Sequence, residues 1–164
     1  MSEGPTEEQL TRLWHSLLRV QRLASDPRGD GDALRSALAD AYGLSNEYAV
    51  FGVVSYARGR FEALEELARS SPFGAATIEF PRAALLAARP QDAPDSLHTE
   101  CVDLIEAEVR GEDIEPLVAR LVDSGGVDAF RLLNLVCVAL GNQLVRLDPT
   151  LGSMDDLLAR EMQG

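Results

Sequence analysis

Between Arg131 and Arg146 the sequence "RLLNLVCVALGNQLVRL" runs for fourteen residues without a charge. As a helix this stretch is about 21 Å long, short of the roughly 30 Å of a bilayer's hydrocarbon core. It also carries Asn134, Asn142 and Gln143. It therefore reads as a core helix rather than a membrane span. Arg131, Asn142 and Arg146 fall within about 60° of one another at 100° per residue, which leaves a wide apolar arc containing Asn134. Leu135 lies inside the polar strip and needs a cover from the tail or from a second chain.

Apolar residues recur at three and four positions almost throughout, with little strand-like alternation, so the fold class is all-α. Helices are predicted from Thr6, as N-cap, to Ser25, and at about 32–42, 45–69, 82–88, 96–110, 112–123 and 127–147, with a tail helix capped by Ser153. Leu10, Leu13, Trp14, Leu17 and Val20 make the inward stripe of the first helix, and His15, near Arg12, Arg19 and Arg22, faces solvent. The expected architecture is one domain over 1–164, a compact bundle of seven to eight helices around the helix near 127–147. The proline-containing stretch 89–95 is a candidate subdomain boundary.

All fifteen basic residues are arginine, a bias that points to a GC-rich, bacterial source. The formal net charge is −12, and residues 90–164 hold 5 arginines against 15 acids. That balance disfavours nucleic acid and anionic membrane surfaces as partners. The polar, acidic start "MSEGPTEEQL" lacks the features of a signal peptide, so a cytoplasmic location is expected. Cys101 and Cys137, each in an apolar segment, are expected as buried free thiols.

Few residues suggest catalysis. There is no GxSxG, HExxH or CxxC pattern, and no lysine for a phosphate-binding loop. His98 and Cys101 share a helical face with Val102 and Ile105, whereas Glu100 and Asp103 point away. His98 is therefore read as a core histidine bonded to a backbone group. No cofactor is expected from these residues.

Two resemblances are present. "FGVVSYARGRFEALEELARSSP" resembles a single tetratricopeptide repeat at Gly52, Gly59, Phe61, Ala63 and Pro72. Glu62 and Glu65, followed by Glu100 and Asp103, resemble the acidic pairs of all-α MazG-like nucleotide pyrophosphohydrolases. That likeness implies magnesium held by these four carboxylates.

The two uncharged helices suggest sites of another kind. Gly52, Ser55, Gly59 and Ala63 form a small-residue stripe, and Asn134, Cys137, Val138 and Gly141 form a second small face. The helices at 45–69 and 127–147 are expected to be neighbours, with Asn134 buried and bridging to backbone, Ser55 or Tyr56. Gly52, Ser55, Tyr56, Asn134 and Gly141 are the candidate ligand-binding residues of a pocket between them. Leu135, Met154, Leu157, Leu158 and Met162 are the candidate interface. The reading placed first is a non-enzymatic interaction or regulatory protein that self-associates, as a homodimer, or binds another protein. A small-ligand-binding helical domain comes second and the magnesium-dependent hydrolase third.

Overall fold

The computed structural model describes residues 6–26, 28–70 and 78–163. Among these all regular structure is helical: α1 (Glu7–Ser25), α2 (Gly31–Leu44), α3 (Asn46–Ser70), α4 (Arg82–Ala87), α5 (Asp95–Val109), α6 (Glu115–Leu147) and α7 (Met154–Gln163). Residues 51–70 run inside one uninterrupted helix, so the described residues of this stretch form no repeat-like pair of helices; Pro72 lies outside the described residues.

Local chemistry sets the ends. A reciprocal capping box starts α1, with Gln9 N–H donating to Thr6 Oγ1 (3.2 Å) and Thr6 N–H to Gln9 Oε1 (2.8 Å). Gly111, at φ +76°, closes α5: its own N–H donates to Glu108 O and that of Glu112 to Ala107 O, both at 3.0 Å. This is a Schellman stop. It delays the next helix to Glu115, with Pro116 in its first turn, so Glu112 and Asp113 lie before the helix rather than in it.

Two expected helices, 112–123 and 127–147, appear as one element, α6, broken at Gly126 (φ 54°, ψ −138°). The half before the break buries Val118 and Leu121. The half after it buries Phe130, Leu132, Leu133, Val136, Leu140 and Leu144, and α6 as a whole packs chiefly on α3 and next on α5. α6 is the one described helix long and apolar enough to cross a membrane by composition, and a little over half of its most apolar window is buried by the other helices.

The core is continuous from α1 to α7. Leu10 and Trp14 depart from expectation, being 45% and 37% exposed. Leu13, Leu17, Leu18 and Val20 already fill the inward face of α1, and the earlier turns overhang the edge. Trp14 instead stacks obliquely on Tyr56, ring centroids 5.2 Å apart. His98 is buried with Nε2 2.8 Å from Leu85 O, which ties α5 to α4. Cys101 and Cys137 are free and buried, and burial pushes both thiols up to about 12.

Asp148 ends α6 and anchors the turn into α7. Its carboxylate accepts from Thr150 Oγ1 (2.6 Å), Thr150 N–H (2.9 Å) and Arg160 (3.0 Å). These bonds, the Thr150 hydroxyl's first, lower its pKa from 3.8 to about 2. A carboxyl with a depressed folded pKa adds stability above its unfolded value and loses it as pH falls through the folded one. The advantage of the native chain over Asp148→Asn in urea midpoint is thus expected to be constant above about pH 5 and to be lost progressively as pH falls through about 2. An advantage that persists unchanged at pH 2 would mean that packing, not charge, is responsible.

Candidate functional site

α3 presents two chemically different faces. On the inward side Arg60 follows Val53 and Ala57 and precedes Leu64 at helical spacing, which places a guanidinium in the core. Its side chain is fully buried. All five N–H donors find acceptors: Nε donates to Glu161 Oε2 (3.0 Å), Nη2 to Glu161 Oε1 and Tyr56 Oη (both 3.0 Å), and Nη1 to Gln21 Oε1 and Cys137 O (both 2.7 Å). The guanidinium carbon also lies 4.4 Å from the centre of the Tyr56 ring. Burial opposes the charge on Arg60, and the hydrogen-bonded Glu161 carboxylate supports it, so the group stays charged. Burial raises that of Tyr56, so its hydroxyl stays protonated and donates to Glu161.

The network continues through Gln21, whose amide donates to Asn134 Oδ1 (2.8 Å) and Asn134 O (3.2 Å), while Asn134 Nδ2 donates to Phe130 O (2.8 Å). Four helices, α1, α3, α6 and α7, are thereby joined through one cation.

The outward side of α3 carries the small-residue stripe. It floors an open groove of about 490 Å³. Gly52, Ser55, Gly59 and Ala63 line it from α3, Trp14 from α1, Leu144 from α6, and Leu157, Arg160 and Glu161 from α7. Ser55 and Gly59 are exposed, and a Cβ built on Gly59 meets nothing within 4 Å. The walls are mainly hydrocarbon, and the polar groups cluster where Tyr56 and α7 meet.

Of the five candidate ligand residues, Gly52, Ser55 and Tyr56 line this groove. Asn134 and Gly141 do not. Asn134 is 1% exposed and spends its amide on Gln21 and Phe130 rather than on Ser55 or Tyr56. Gly141 faces Arg60: a Cβ there would stand 2.9 Å from Nη1 and 3.0 Å from Met154 Cε. The α3–α6 seam expected to hold a pocket is filled by the arginine, and the groove opens instead on the far side of α3.

The candidate interface residues separate in the same way. Leu157 and Leu158 are buried by their own chain, Leu135 and Met154 are half-buried against the core, and Met162 is 57% exposed. Leu135 is covered in part from within the chain. The four candidate magnesium ligands do not gather: Glu62 lies 3.5 Å from Arg58, and Asp103 pairs with Arg82. Among the described residues no group of three or more His, Cys, Asp or Glu side chains is placed to hold a metal ion.

Reading the sequence missed Gln21, Arg60 and Glu161. The signal for Arg60 was available, since it is the one charged residue on the Val53, Ala57, Leu64 face. Gln21 and Glu161 carry no such mark, because their partner is more than 35 residues away. Comparison with family models, curated proteins and solved structures finds no match.

Proposed function

We propose that this chain is a non-catalytic interaction protein and that the α3 groove receives an amphipathic helix, from a partner protein or from a second copy. The observation that carries the reading is Gly59. A glycine inside a helix costs about 0.5–1 kcal/mol relative to alanine, and here the chain's own packing leaves the space above it empty. A row of small residues lets a second helix approach closely, and half-exposed Trp14 beside it offers the kind of aromatic anchor that interfaces use.

A small apolar molecule is the second reading. The volume of the groove lies in the range of ligand pockets, with Ser55, Tyr56 and Arg160 as orienting polar groups.

The test is a pair of substitutions with opposite readouts. Gly59→Ala is expected to raise unfolding stability by about 0.5–1 kcal/mol, and Gly59→Leu to block the groove while leaving the fold intact. Light scattering on the native chain distinguishes the occupants: a dimer split by Gly59→Leu places a second copy in the groove. If the native chain is a monomer, its single tryptophan reports titrations with amphipathic helical peptides and with a small apolar probe such as anilinonaphthalenesulfonate. A mass and a Trp14 response unaffected by Gly59→Leu would remove the groove from consideration.

A further inference from the structure

In a chain of net charge −12, α1 shows solvent a row of three arginines with a histidine among them. Arg12, His15, Arg19 and Arg22 lie within about 80° of one another at 100° per residue, and all four are exposed. The row is about 15 Å long, nearly three helical turns. Among the described residues Arg12 and Arg22 have no ion-pair partner. Arg19 has a loose one in Asp40 at 3.9 Å, with both side chains more than half exposed, so that pair contributes little. Glu8, one turn before Arg12, is the one acid of α1 on this face.

The row is flanked by two hollows. Between α1 and α2 lies a groove of about 510 Å³ whose far wall ends in Leu44, 37% exposed. On the other side a hollow of about 190 Å³ lies between Arg19, Arg22 and the Leu158 and Met162 side chains of α7, Met162 being 57% exposed. A cationic ridge with an apolar hollow along the α7 flank, and a mixed groove that holds Ser16 and Asp40 along the other, complements a segment that sets apolar side chains on one side of a row of carboxylates.

We infer that this face of α1, distinct from the α3 groove, docks an acidic amphipathic helix of a partner protein. Its carboxylates, repeating at three and four positions, pair with Arg12, Arg19 and Arg22, while apolar residues beside them enter the hollow at Leu158 and Met162. The overall negative charge of the chain opposes nucleic acid, which repels at every other point of contact. A helix that meets only this face escapes most of that repulsion, because exposed charges beyond a Debye length of about 10 Å are screened.

The experiment uses the full chain and a fluorescently labelled synthetic helix of about twenty residues carrying glutamates and leucines at this spacing, read by anisotropy. Binding is expected to weaken at least tenfold in Arg12→Glu/Arg19→Glu and to fall with added salt, while the same charge reversal at Arg146, exposed and outside the row, leaves it unchanged. An unaltered thermal melt for the double variant shows that the loss is not unfolding. The proposal is overturned if the native chain does not bind the peptide, or if the charge-reversed variant binds it equally well. It is overturned too if a single-stranded oligonucleotide binds the row more tightly than the peptide, or if the native chain is an oligomer that charge reversal splits, which would put its own acidic half on the row.

Discussion

Glu161→Ala is expected to destabilise the chain by about 3 kcal/mol, the low end of the range for removing one partner of a buried ion pair. The low end applies because the Glu161 side chain is 19% exposed, so water can reach part of what the carboxylate leaves. Arg60 has no such relief. Its side chain is fully buried, it keeps its charge, and two of its five donors lose their acceptor at once, as does the Tyr56 hydroxyl. At roughly 2–4 °C per kcal/mol for a chain of this length, a thermal melt should fall by about 6–12 °C.

The loss should also be local. α7 is held by Leu157 and Leu158, by the Arg160–Asp148 pair and by this clasp, so amide exchange along 154–163 is expected to quicken before that of α3 or α6 does. Arg60→Met/Glu161→Leu should recover part of the stability, since it removes both charges, although it leaves Gln21 Oε1 and the Tyr56 hydroxyl to find other partners. A fall below 1 kcal/mol in urea denaturation of Glu161→Ala would show that the clasp does not hold α7 in place.

How much of this was legible depends on the range of the interaction. Thr6 with Gln9, the stop at Gly111, the break at Gly125–Gly126 and Asp148–Pro149 are local, and each could be read from a few neighbouring residues. The apolar runs of α3 and α6 likewise required burial wherever they packed. Asn134 could be recognised as a buried amide in need of partners, but Gln21, 113 residues away, could not be named, because periodicity gives a face and not the residue opposite it. Trp14 misled for a related reason: hydrophobicity placed it inward, whereas its position on the rim of α3 depends on how α1 and α3 cross. The groove was half legible. Its floor is a stripe within one helix, but its walls come from three others. The small face of α6 was read as the place where α3 approaches, with room for a ligand; α3 does pack there, and the room is taken by Arg60.

Gly126→Ala and Gly125→Ala should each destabilise the chain, for unrelated reasons. At Gly126 the space is open, so a methyl group collides with nothing. The backbone itself is the obstacle: φ 54° with ψ −138° lies close to a region that essentially only glycine populates, at a cost of about 1–3 kcal/mol for any other residue. Gly125 lies outside the positive-φ region, but a Cβ there would lie 2.6 Å from the Ala129 Cβ and 2.9 Å from Leu97 Cδ1. In a regular helix Cβ atoms four residues apart are about 5–6 Å from each other. The shortfall measures how sharply the chain turns at the break. That turn lets the first half of α6 lie against α5 while the second half delivers Cys137 O and Gly141 to Arg60, so straightening it disturbs the clasp as well.

Asparagine is the sharper probe of Gly126. It tolerates the left-handed helical region, where ψ is near +47°, but not ψ −138°. Gly126→Asn is therefore expected to be as damaging as Gly126→Ala in urea denaturation. If Gly126→Asn proves clearly milder than Gly126→Ala, the break has an ordinary left-handed conformation, and α6 does not need glycine there to turn from α5 to α3.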